Sequence, residues 1–285
     1  MGTPYAEVIG DPIAQSKSPA IHQHWLDRTG MDADYRATRV EIDGLSSYFE
    51  KRRDDPDWRG CNVTMPLKQA IGRELDSIEP SAARIGSVNT VYRNADGALV
   101  GTSTDGAGFL EPLEPALRAR HLFRMARILG AGGAARAIAA ALAQQGFVLV
   151  IAARDETRAA QLLVDVDPGG EHHVAPLSHF ADRTDFAFDD REGCFDLVVN
   201  TTPMGMRGQP PLPFDWSHAP PGAIAYDIVT DPVETEFLHR AKAAGHVAVD
   251  GMAMLIGQAA HAFPLFFGEQ PDRSDDALLR RALLG

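Results

Sequence analysis

Several short runs in this 285-residue chain hold residues whose types and spacing suit chemistry. In RILGAGGAAR, residues 127–136, an apolar stretch ends in glycines and an alanine-rich segment begins. Gly130 permits a tight turn there, Gly132 lets a backbone approach a pyrophosphate, and Ala135 at the third small position lets a helix pack closely on a strand. The free N–H groups at such a helix start, with the positive dipole end, face phosphate. The run reads as the cradle of a dinucleotide site. Arg154 and Arg158, one helical turn apart in ARDETR at 153–158, suit a ribose 2′-phosphate, because a guanidinium fork matches phosphate geometry. They favour NADP. Asp155 and Glu156 leave NAD open, and Asp155 also stands where a helix N-cap belongs.

A second set is polar and lies earlier. Ser16 and Ser18 are two apart, so in an extended loop their hydroxyls point the same way and can grip a carboxylate or a diol. Ser18 before Pro19 also reads as a helix cap. In GCNVTMPLK, residues 60–68, a strand places Asn62 and Thr64 on one side and Val63 and Met65 on the other. Pro66 ends it and Lys68 opens a helix, at the dipole end that disfavours a cation. That local conflict flags function. Asn89 and Thr90 form another polar pair, while Asp105 after Thr104 reads, taken alone, as a helix cap before a catalyst.

Positioning these groups requires alternating strands and helices. The cradle needs a strand at 125–129, a helix at 134–145 stopped by Gly146, and a second strand at 147–152. Upstream, the pattern predicts a strand at 5–10, a helix at 20–29, a strand at 33–40, a helix at 45–53 and a charged turn at 52–57. A hairpin follows, with strands at 91–93 and 99–103 joined through Asp96-Gly97. Beyond the cradle, 162–173 reads as a helix end and loop, and 182–192 as an acidic, exposed insertion. Strands are expected at 195–200, 223–229 and 246–249, with a proline-rich loop to 221 and helices at 234–245 and 254–267. The last carries Gln258 and is expected to pack back on the first domain.

Composition narrows the class. With 45% hydrophobic residues, 26 Gly and 19 Pro, the chain reads as a soluble α/β protein of two domains. A net charge of -12 argues against nucleic acid or an anionic membrane as partner, so an anionic small-molecule substrate needs locally placed cations. Cys61 and Cys194 show neither a disulfide framework nor zinc spacing, which fits a reducing cytoplasm. His172-His173 reads as a solvated loop, and no metal is expected. Neither a signal core nor a bilayer-spanning run is present, so a cytoplasmic location is expected. The apolar stretch 262–267 covers the domain's own core or forms an interface, leaving monomer or homodimer open.

Seven segments together resemble the shikimate dehydrogenases: residues 10–19 (GDPIAQSKSP), 60–68, 88–90 (VNT), 104–106 (TDG), 130–133, 200–205 (NTTPMG) and 250–260 (DGMAMLIGQAA). They run in order through nearly the whole chain. The resemblance implies that Lys68 and Asp105 are the catalytic pair and that Ser16, Ser18, Asn62, Thr64, Asn89 and Gln258 bind substrate. It places NADP on Gly130, Ala131, Gly132, Gly133 and Ala134, on Arg154 and Arg158, and on Thr202 and Gly251. It also implies an N-terminal mixed-sheet α/β substrate domain, residues 1–104 completed by helices at 251–285, and a Rossmann domain at 105–250, with the nicotinamide in the cleft between them. Two positions differ from the family pattern: Ala153-Arg-Asp155 replaces its usual Asn-Arg-Thr, and Thr230 stands where it commonly has tyrosine.

The reaction so implied is NADPH-dependent, reversible reduction of 3-dehydroshikimate to shikimate, in aromatic amino-acid biosynthesis. Hydride addition to a ketone builds negative charge on oxygen, which an ammonium can stabilise and protonate while a carboxylate holds it. Two other functions remain open at this stage: a quinate or quinate/shikimate dehydrogenase using NAD, and a catalytically idle nucleotide-binding paralogue.

Overall fold

Strand β1 (Tyr5–Gly10) is buried along its whole length, as befits a central strand covered on both faces. Its one charged residue, Glu7, accepts hydrogen bonds from the Tyr48 hydroxyl (2.7 Å), the Arg52 guanidinium (2.6 Å) and the Trp58 indole (3.0 Å), and from Thr38. Burial of a carboxylate is tolerable only with such partners. The computed structural model describes residues 2–188 and 191–284. It divides into one compact unit of residues 1–108 with 256–285, and a second of 109–255.

In the first unit β1 is followed by α1 (Ser18–Thr29), β2 (Asp34–Arg39), α2 (Leu45–Arg53), β3 (Trp58–Val63), β4 (Ser77–Ile78), α3 (Pro80–Ile85), β5 (Thr90–Arg93), β6 (Leu99–Thr102) and α4 (Asp105–Leu110). The sheet order is β2-β1-β3-β5-β6-β4. Pairs β1/β2, β1/β3 and β4/β6 are parallel while β3/β5 and β5/β6 are antiparallel, so the sheet is mixed as expected. Its core gathers Ile9, Phe49, Trp58, Leu67, Ile71 and Val91.

The second unit holds α5 (Glu114–Leu117), β7 (Phe123–Leu129), α6 (Gly133–Gln144), β8 (Val148–Ala153), α7 (Glu156–Val166), β9 (His173–Pro176), β10 (Cys194–Asn200), β11 (Ile224–Asp227), α8 (Glu236–Ala243) and β12 (Val247–Val249). All six strands are parallel, in the order β12-β11-β10-β7-β8-β9. This is the doubly wound order in which ligands bind where the strand order reverses, outside the carboxyl ends of β7 and β10. The chain then passes through α9 (Gly251–Phe267), whose residues from Ile256 onward belong to the first unit, to α10 (Asp276–Leu284).

Several expectations need correcting. The pair His172-His173 is no solvated loop: His173 opens β9, and the His172 ring, 6% exposed, bonds Asp167 at 3.0 Å. Because the Leu149 amide donates to its Nδ1 (3.1 Å), the tautomer with hydrogen on Nε2 is selected, and that hydrogen meets Asp167. Met65 does not share a buried face with Val63; β3 ends at Val63, and Met65 is 59% exposed against 2% for Val63. Of the acidic insertion at 182–192, Asp189 and Asp190 lie outside the described residues, while Thr184 and Phe188 are half-buried rather than exposed.

Candidate active site

Lys68 and Asp105 reach one another by different local routes. Lys68 sits in a single 3-10 turn, Leu67–Gln69, that follows β3 after Pro66. The expected α-helix start is therefore absent, and with it the dipole conflict, since three residues make no macrodipole worth the name. Leu67, fully buried in the core of the first unit, anchors the turn. Asp105 begins α4 but caps nothing. Its Oδ2 accepts from Lys68 Nζ at 2.5 Å and its Oδ1 from Asn89 Nδ2 at 2.8 Å. The two side chains are 16% and 5% exposed. With one of its three donors on Asp105, the Lys68 ammonium has others to present to a substrate oxygen.

Asn89 organises the rest. The Thr104 backbone N–H, which can only donate, meets Asn89 Oδ1 at 2.8 Å, so the amide orientation is assigned without ambiguity. The Asn89 NH2 must then face Asp105, Thr104 Oγ1 (3.0 Å) and Gln258 Oε1 (3.3 Å). Thr90 Oγ1 donates to the same Asn89 oxygen (2.9 Å) and accepts from Asn62 Nδ2 (3.0 Å). Asn62 Oδ1 in turn accepts from the Tyr35 hydroxyl at 2.6 Å. One directed chain thus runs from Tyr35 through Asn62, Thr90 and Asn89 to the carboxylate that holds Lys68. Burial raises the Tyr35 pKa well above that of a free phenol, so it stays a donor. Its ring stacks at 4.0 Å on His22, which burial keeps neutral with a pKa of about 3.

Gln258 comes from α9, 153 residues further along than Asp105 (258 minus 105). The approach is possible because Gly108 lies under it: a Cβ there would stand 2.3 Å from the Gln258 nitrogen. Thr64 follows β3 and is half-buried, its N–H bonding the Ile9 carbonyl at 2.9 Å. The serine pair is not extended as expected. Lys17 between them is helical (φ −86°, ψ −7°), Ser18 is already the first residue of α1, and Ser16 Oγ accepts the Ser18 N–H at 3.3 Å. Neither hydroxyl caps through the predicted N-cap geometry. Thr90 stands beside Asn89 in the VNT run and Thr104 beside Asp105, whereas nothing in a strand-like stretch marks Tyr35 as a site residue.

This chain of bonds makes a prediction. Thr90→Val keeps shape but strands one Asn62 donor and loosens the Asn89 amide, a loss of about 1–3 kcal/mol for a buried unsatisfied group. We expect a lowered melting temperature with kcat reduced about tenfold, since misplacing the catalytic pair slightly is enough. Unfolding and initial-rate measurements on the one variant check both.

In the second unit the glycine turn lies at the carboxyl end of β7. Gly130 has φ +115°, and a Cβ there would meet Thr201 Oγ1 at 2.6 Å, so only glycine fits beside β10. Gly132, by contrast, is the N-cap of α6 with open space before it: a Cβ would touch nothing within 4 Å. Ala131, Gly133 and Ala134 complete the turn, half-buried, and fully buried Ala135 packs the helix down. The free N–H groups and open space fit a pyrophosphate. Arg154, just after β8, and Arg158, in the first turn of α7, are both exposed, and Asp155 is the α7 N-cap, accepting the Arg158 N–H at 3.0 Å. Thr202 is tied to Asn200 Oδ1 by its N–H (2.9 Å) and hydroxyl (2.8 Å). Asn200 Nδ2 donates to Asp227, whose pKa burial raises. Gly251 allows close backbone packing, since a Cβ would stand 2.4 Å from the Val229 carbonyl.

The chain is similar to known proteins over nearly its whole length. Residues 8–91 match the family model described as the shikimate dehydrogenase substrate binding domain. The chain is 45% identical over 285 residues to an NADP(+) shikimate dehydrogenase of Sphingopyxis alaskensis, covering 99% of this chain and 97% of that protein. A crystal structure of shikimate 5-dehydrogenase from Thermus thermophilus, in complex with NADP(H) and shikimate, superposes with a TM-score of 0.82 at 34% identity, covering 99% and 100% of the two chains. The quinate dehydrogenase of Corynebacterium glutamicum, in complex with NAD, matches with a TM-score of 0.83 at 32% identity, covering 98% and 99%.

Proposed function

The chain belongs to the shikimate dehydrogenase family, and on that premise we propose that it reduces 3-dehydroshikimate to shikimate with NADPH, reversibly, in aromatic amino-acid biosynthesis. The observation that carries the reading is the Lys68 Nζ to Asp105 Oδ2 contact at 2.5 Å. NADPH, when bound, supplies the hydride. Lys68 stabilises the charge that grows on the ketone oxygen and gives it a proton from Nζ. Asp105, immobilised by Asn89, keeps the ammonium aimed and compensates its charge. Asn62, Thr64, Asn89 and Gln258 supply hydrogen bonds to the ring hydroxyls, and Ser16 and Ser18 to the carboxylate. Among the described residues no helix is long and apolar enough to cross a membrane.

The cofactor is held by the turn from Gly130 to Ala134, whose N–H groups take the pyrophosphate, and by Thr202 and Gly251. Arg154 and Arg158 read the 2′-phosphate. Asp155 caps α7 through Oδ1 while the exposed Arg154 and Arg158 supply the cations a 2′-phosphate needs, which favours NADP over NAD. Arg154→Ala removes a charged hydrogen-bond donor and is expected to weaken NADP about tenfold or more while changing NAD less than about twofold. Titration of both cofactors checks it, and equal losses remove the 2′-phosphate assignment. The reaction itself is tested by incubating the protein with 3-dehydroshikimate and NADPH and separating the products. Shikimate in amounts equal to the NADPH consumed supports the reading; none rejects it.

A further inference from the structure

We propose that the C-terminal helix α10 sets the position of the substrate loop through Lys17, a positioning residue held between Ser16 and Ser18. The inference rests on the reading of those two serines as substrate ligands. Lys17 stands at the N-cap of α1, where its carbonyl accepts the Ile21 N–H at 3.1 Å, so its backbone moves with the helix. Its ammonium donates to the carbonyl of Leu283 at 2.6 Å, 266 residues away, in the last turn of α10. Last-turn carbonyls lack intrahelical partners and form the negative end of the dipole, so an ammonium is well placed there.

The first residue of α10 and the segment just before it are fastened to the other end of α1. Trp25 Nε1 donates to Asp276 Oδ1 at 3.1 Å. Arg28 reaches Asp272 through Nε (3.0 Å) and a second nitrogen (2.8 Å), and also bonds Asp275 and Ser274. The Ser274 hydroxyl and amide, then Arg28, hold the Asp272 carboxyl down to about 2, so this clasp stays charged. Between the polar clasps Leu279 and Leu283 are buried. α1 and α10 are therefore joined at both ends, and the N-terminal joint is the residue between the two serines. The Lys17 ammonium is thereby tied to the end of α10 through the Leu283 carbonyl.

The test compares Lys17→Met, Lys17→Arg, Asp276→Ala and Ser18→Ala for shikimate Kd by calorimetry and for KM and kcat. We expect Lys17→Met to raise shikimate Kd and KM about tenfold with kcat within about twofold and NADP binding unchanged, the signature of lost positioning for binding. Lys17→Arg restores part of the loss. Asp276→Ala, which removes the acceptor of the Trp25 indole and touches neither serine, shifts KM in the same direction by about threefold. An unchanged KM in Lys17→Met beside a raised KM in Ser18→Ala overturns the strut and leaves the serine reading intact. No change in either removes the serine reading itself. A raised KM in Lys17→Met with Asp276→Ala unaltered overturns the role of α10 and makes Lys17 a direct ligand.

Discussion

Lys68→Ala is expected to lower kcat by a factor on the order of 10³–10⁴, because one substitution removes both the charge facing the carbonyl oxygen and its proton donor. The loss falls on the chemical step. All cofactor contacts proposed here lie in residues 109–255, so NADP affinity measured by calorimetry should stay within about twofold of the parent. Truncation also leaves the Asp105 carboxylate, 5% exposed, with the Asn89 amide as its remaining strong donor. A stability loss therefore accompanies the kinetic one, and a thermal unfolding scan that keeps its cooperative transition shows that the variant is folded. Near-parental kcat would remove Lys68 from the chemistry.

Asp105→Asn tests the other half of the pair by a subtler route. An asparagine fits the space and its oxygen can still accept from Asn89, but its NH2 then faces the Lys68 ammonium, donor against donor. Lys68 loses its anchor and swings. We expect kcat to fall by about 10²–10³ with shikimate KM changed far less, since the ammonium is misplaced rather than removed. Measured together, the Lys68→Ala and Asp105→Asn losses should be strongly sub-additive in the double variant, because groups acting as a unit cannot be lost twice. Additive losses would mean that the two residues act separately.

Much of this was legible in residue order because the signals are local. The six-residue segment at 5–10 and the segment 45–53 emerge as β1 and α2 with the expected bounds, and the glycine turn stands between β7 and α6. The doubly wound sheet follows from apolar runs alternating with helices. What could not be read depends on contacts distant in sequence. Asp105 looks like a cap because caps are local and its true partners, Lys68 and Asn89, are 37 and 16 residues away. Lys68 reads as a helix start because Pro66 ends the strand before it, whereas the structure has only a three-residue 3-10 turn there. Tyr35 carries no mark at all, since an aromatic in a strand is normally core; its function lies in one hydroxyl bonded to Asn62. The edge strand β9 was missed because His172-His173 disguises a strand start as a polar loop.

Thr230, where the family commonly has tyrosine, and the similarity to a quinate dehydrogenase bound to NAD make substrate and cofactor preference the decisive question. The most direct measurement is initial velocity, followed by nicotinamide absorbance, for shikimate and quinate each paired with NADP and NAD. The account predicts efficient turnover of shikimate with NADP, with the other three pairings far slower. Comparable or better turnover of quinate with NAD, or no turnover in any pairing while cofactor still binds, would contradict it.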